Sequence, residues 1–92
     1  MGRSHHFHLD VGGHSVTVNV DHGRHGAAEL LVDGKETGRA EMHGSRPLTL
    51  TGELPTEPPR PMSVRITPVP GGAPRCTAVL DGTETVMLPR AF

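Results

Sequence analysis

Apolar and polar residues alternate strictly through "HFHLDV" (6–11) and again through "SVTVNVD" (15–21). Phe7, Leu9 and Val11 fall on one face of the first run, with His6, His8 and Asp10 on the other. Val16, Val18 and Val20 alternate with Ser15, Thr17, Asn19 and Asp21 in the second. A period of two predicts strands, and the intervening Gly12-Gly13 suits a primed hairpin turn, whose central residues take positive φ. A two-residue loop also predicts the pairing. Leu9 should face Val16, Phe7 should face Val18, His8 should face Thr17, and His6 should face Asn19.

The same pattern continues down the chain. "DHGRHG" (21–26) is a glycine-bracketed loop, and "AAELLVD" (27–33) and "KETGRAEMH" (35–43) predict strands three and four across Asp33-Gly34. Ala, Glu and Lys favour helix there, but Gly34, Gly38 and Gly44 would interrupt it repeatedly. Further strands are predicted at 47–54, 62–69, 75–81 and 83–89. "PTEPPRP" (55–61) holds four prolines in seven residues and predicts a stiff surface crossover. Residues 1–5 are expected to form a flexible N-terminus. Eight short antiparallel strands define an all-β fold class, a single domain over 1–92 built as a compact β-sandwich or flattened barrel.

One phrase is written twice, "LVDGKET" (31–37) and "VLDGTET" (79–85), offset by 48 residues. Asp-Gly is a strong turn signal, because Gly accepts positive φ and Asp can bond its own backbone. The phrase therefore predicts two similar hairpins. Internal repetition and convergence on a common turn both account for it. A two-residue turn and a three-residue turn with a bulge both fit.

Composition narrows the function classes. Hydrophobic residues make up 34% of the chain, with no Trp or Tyr and only Phe7 and Phe92, so Val, Leu, Ile, Ala and Met must build the core. Nine basic and ten acidic residues leave a formal charge of −1, and aromatics are 2%. Neither the field nor the stacking surfaces for nucleic acid are present, nor a basic surface for anionic membranes. Cys76 is the single cysteine, so no internal disulfide can form. No apolar leader or membrane-length run occurs, and a soluble cytoplasmic protein is the expectation.

With the strand order in hand, "GHSVTVNVDHGRHGAAELLVDGKETGR" (13–39) resembles the opening of the Fas apoptotic inhibitory molecule family. The matching residues are His22-Gly23, Gly26 and Val32-Asp33-Gly34-Lys35-Glu36. "VRITPVPGGAPRCTAVLDGTET" (64–85) is similar to the family's closing strand, glycine turn and strand with its Asn-Gly or Asp-Gly turn. The chain departs from the family in lacking aromatics through its middle and in the proline run 55–61. The resemblance implies an eight-stranded all-β domain without enzymatic activity, acting through protein contacts and countering aggregation.

Seven histidines are the conspicuous excess. His6, His8 and Asp10 project from one strand face, and two imidazoles with a carboxylate can ligate Zn or Ni, with His22 and His25 as further ligands. The plainer reading is a polar solvent face. Cys76 follows Arg75 but has no Cys-His-Asn spacing, and a half-buried small hydrophobe is the better reading. There is no nucleophile elbow and no phosphate loop, so no catalytic residue is assigned and no enzyme is expected. "PTEPPRP" has P-x-x-P spacings beside Arg60, but a rigid connection explains it more simply. "KETGRAEMH" alternates poorly and carries Gly38, as an edge strand would. Lys35, Gly38, Arg39 and Glu41 there are the candidate contacts for a protein partner. The sequence thus points first to a non-catalytic, chaperone- or adaptor-like binding module. A small histidine-based metal domain and a barrel enclosing an apolar molecule are the alternatives.

Overall fold

The computed structural model describes residues 3–22, 26–42 and 46–90. The described residues form nine strands: β1 (Arg3–Val11), β2 (His14–His22), β3 (Ala27–Val32), β4 (Lys35–Glu41), β5 (Leu48–Leu54), β6 (Arg60–Thr67), β7 (Arg75–Leu80), β8 (Thr83–Val86) and β9 (Leu88–Arg90). Two antiparallel sheets form, one ordered β4-β3-β2-β1-β9 and the other β5-β6-β7-β8. Each half of the chain is thus a four-stranded meander in which sequence neighbours pair.

The first hairpin has the expected register, with Leu9 opposite Val16, Phe7 opposite Val18, His8 opposite Thr17 and His6 opposite Asn19. Val32 pairs with Lys35 and Leu80 with Thr83, so both Asp-Gly turns are two-residue turns. Asp33 and Gly34 take φ of 52° and 83°, and Asp81 and Gly82 take 51° and 77°. These are the primed turns whose twist matches that of the flanking strands. β3 and β7 coincide under the same 48-residue offset as the repeated phrase.

The inward-facing residues of both sheets close on one core. Phe7, Val16, Val18, Val20, Ala28, Leu30 and Val32 meet Leu50, Leu54, Met62, Val64, Ile66, Cys76, Ala78 and Met87. Among the described residues no polar or charged side chain is buried. Burying such aliphatic side chains is worth about 1.5–3 kcal/mol each, and this is what holds the sheets together.

Three expectations change. Residues 3–5 belong to β1 instead of a flexible N-terminus, because Arg3, Ser4 and His5 pair with His22, Asp21 and Val20. The proline run does not cross between sheets: β5 and β6 are antiparallel neighbours, and Leu54 pairs with Arg60 around a loop of residues 55–59. Pro61 sits within β6 opposite Glu53, beyond Met62, where pairing with β7 begins, so its missing N–H breaks no ladder with β7. The first connection between sheets is the segment from β4 to β5.

The third change is at the end of the chain. The expected eighth strand divides at Met87, pairing first with β7 and then with β1. Met87 is buried and its N–H donates to the Cys76 carbonyl at 2.9 Å. Val86 and Leu88 on either side are 65% and 71% exposed. One strand therefore joins both sheets along this side.

On the opposite side β4 and β5 approach closely without being paired. A Cβ on Gly38 would lie 2.7 Å from the Thr51 carbonyl oxygen, and one on Gly52 would lie 2.5 Å from Thr37 Oγ1. The β3–β4 register slips here: Leu30 pairs with Gly38 but Leu31 with Glu36, leaving Thr37 as the extra residue of a bulge.

Candidate functional site

The outer face of the five-stranded sheet carries a polar row. His6, Asn19, Glu29 and Arg39 stand opposite one another on β1, β2, β3 and β4. Asn19 donates an Nδ2–H to Glu29 Oε1 at 2.9 Å, so its Oδ1 accepts. That oxygen lies 2.6 Å from His6 Nδ1, which must therefore carry a proton. The Asn19 amide chiefly, then a hydrogen bond with the Glu36 side chain and last the charge of Arg39, hold the Glu29 carboxyl below its ordinary value against a smaller opposing effect of burial. One carboxylate thus orients a neighbouring histidine through an amide.

His6, His8 and Asp10 do share this face. His8 Nε2 lies 2.9 Å from Asp10 Oδ1, while its Nδ1 lies 3.4 Å from Thr17 Oγ1. His6 turns its Nδ1 to Asn19 instead of toward that pair. Among the described residues no three His, Cys, Asp or Glu side chains gather where they could hold a metal ion. His25 and the side chain of His22 lie outside the described residues.

The four candidate protein contacts all lie on β4, the terminal strand of its sheet. They are not equivalent. Met42 N–H donates to the Gly26 carbonyl at 2.9 Å, and antiparallel pairs alternate between bonded and non-bonded. Ala28–Ala40 and Leu30–Gly38 are then the bonded pairs, and Gly38 turns its N–H toward β3. Arg39 and Glu41 occupy the alternate positions, so their N–H and C=O groups face away from β3. Gly38 does not open the backbone to a partner; its missing side chain admits the Thr51 carbonyl of β5. Lys35 pairs with Val32 beside the turn, and Arg39 lies 3.5 Å from Glu36.

Two ion pairs lie at the strand ends. Asp33 accepts from His14 Nδ1 at 2.7 Å and from the Ser15 N–H at 3.0 Å. Asp81 pairs with Arg60. Sequence reasoning gave no role to Asn19, Glu29 and His14 and weighed Arg60 only with the proline run, because their partners are distant in the chain. For Asn19 the signal was its predicted place opposite His6.

Cys76 is fully buried, and desolvation pushes its thiol up to about 12. It is a core residue, not a nucleophile. Among the described residues no helix is long and apolar enough to cross a membrane. Comparison with known proteins gave no match among family models, curated proteins or solved structures.

Proposed function

We propose that the chain is a non-catalytic module of the cytoplasm that takes a protein partner by strand addition along β4, in a chaperone- or adaptor-like role. The observation that carries this reading is the backbone of Arg39 and Glu41, which faces outward from a terminal strand whose residues are mostly exposed. Unpaired edge groups of this kind accept an added strand, while charged side chains guard against self-association. The resemblance at Val32–Glu36 to a family acting through protein contacts supports the same class.

Arg39→Pro tests it. Proline removes an outward N–H while leaving the bonds to β3 in place. Pull-downs from native lysate with wild type and variant should differ by the loss of a specific partner, while the two melting curves stay close. Equal recovery by both would rule out this edge.

A further inference from the structure

We infer that the fork between β1 and β8 is a binding site for a short-chain aliphatic carboxylate, its tail between the sheets and its head on Arg60. This site lies on the side of the five-stranded sheet away from β4, and is independent of the edge described above.

The fork follows from the division of the last strand. β9 pairs with β1 only from His6 to His8, while β8 has swung across to β7. Among the described residues β1 has no second strand neighbour beyond His8, and a cleft of about 250 Å³ opens beside Leu9 and Val11. Met62, Ala78 and Leu80 form its floor, with Thr83 and Thr85 on the β8 side. A cleft of this size has room for a short chain of methylenes such as that of hexanoate.

The mouth fixes the head group. Arg60 and Asp81 are the charged residues of the lining, and they pair with each other. A guanidinium carries five N–H donors in a rigid fork, so one carboxylate leaves donors to spare. Asp81 engages Nη2, while Nη1 lies beside the β1–β2 turn, 3.9 Å from where a Gly12 Cβ would sit. Asp81 thus fixes one edge of the guanidinium at the cleft, and the other edge borders the β1–β2 turn, where Gly12 brings no side chain. An anionic head meets Arg60 there, and an aliphatic tail beneath it meets five apolar side chains. A charged tail would lose its hydration without a partner.

The test is a titration of the whole chain with hexanoate and octanoate, followed by methyl NMR, with hexanol as the uncharged control. Saturable shifts are expected at Leu9, Val11, Ala78 and Leu80. Hexanoate should bind about tenfold more tightly than hexanol, as a charge-assisted hydrogen bond to Arg60 requires. Arg60→Gln should remove that difference. Thr85→Leu, on an exposed strand, should fill the cleft and weaken hexanoate about tenfold or more, since tail burial is lost. The wild-type pattern of β-sheet amide shifts in both variants establishes that they fold. Non-saturating shifts scattered over the surface would overturn the site. So would equal affinity for acid and alcohol, or undiminished binding by a folded Thr85→Leu variant.

Discussion

The Asp33 carboxylate accepts a hydrogen bond from His14 Nδ1 at 2.7 Å, tying the β3–β4 turn to the first residue of β2. Forty-eight residues further on, Asp81 makes the corresponding link to Arg60, the first residue of β6. Among the described residues these two aspartates are also the non-glycine residues at positive φ. Each therefore does two things: its backbone forms the turn, and its carboxylate ties that turn to a strand two places back. The repeated phrase marks the same joint in each meander.

This joint predicts a pH dependence. The Ser15 N–H chiefly, and then His14, hold the Asp33 carboxyl below its ordinary value. Its contribution to stability is therefore complete above about pH 4, the unfolded carboxyl range, and fades as pH falls through the lower folded value. Asp33→Asn keeps a residue that tolerates the turn but removes the charge. The variant should be less stable than wild type in urea at neutral pH. The two unfolding curves should converge as acid protonates the folded-state carboxylate. A gap that stays constant into acid would show that the carboxylate's charge is not what matters.

The β4–β5 approach predicts an order among glycine substitutions. Gly38→Ala would set a methyl 2.7 Å from the Thr51 carbonyl, so backbone must move. Overpacking of this kind costs about 1–3 kcal/mol. Gly52→Ala meets Thr37 Oγ1 at 2.5 Å, the end of an exposed side chain that a χ1 rotation can move, and a Leu30 methyl at 3.1 Å, which need give by only a few tenths of an ångström. Thermal melts should therefore rank Gly38→Ala below Gly52→Ala, and the reverse order would refute this account of the contact.

Met87 is the pivot between sheets. Met87→Ala removes a fully buried side chain, and such truncations cost about 2–5 kcal/mol. Because β9 has only three residues, the loss should appear first as faster amide exchange at Leu88 and Arg90. Uniform acceleration through the whole sheet would instead mean that β9 has no separate dependence on the pivot.

Burial makes the Cys76 thiol inert. With its ionisation pushed up to about 12, a disulfide reagent near pH 8 should find almost no thiolate in the folded chain. Labelling should follow unfolding and become complete in denaturant. Fast labelling of the native protein would contradict the packing around this residue.

For metal, the geometry predicts weak binding. His8 already faces Asp10, and His6 already donates to Asn19. Calorimetry with Zn²⁺ should show no stoichiometric tight site, and His8→Ala should leave the titration unchanged. A sharp equivalence point lost in His8→Ala would revive the metal reading.

What could be read in advance was local. A two-residue Gly-Gly loop leaves one register that puts apolar residues on one face, so the β1–β2 pairing follows from sequence alone. The polar face of β1 was legible for the same reason. Gly38 was misread because an internal glycine is consistent with both an open edge and a close backbone approach. Only the position of Thr51, brought there by a different sheet, decides between them. Met87 was invisible for a related reason. Val86, Met87 and Leu88 are three apolar residues in a row, so alternation gives no face there, and the change of hydrogen-bonding partner from β7 to β1 leaves no mark on a single strand.

The link between β1 and β9 also bears on how the protein is made. Three of the four pairings in the five-stranded sheet join consecutive strands, so hairpins can form as each turn leaves the ribosome. The fourth joins Phe7 to Pro89. Until residues 88–90 emerge, β1 has an unpaired edge beside an apolar face, and neither sheet is fastened to the other on that side. The emerging chain therefore carries an adhesive edge from the appearance of β1 until β9 follows β8, and closure of that side waits on β9.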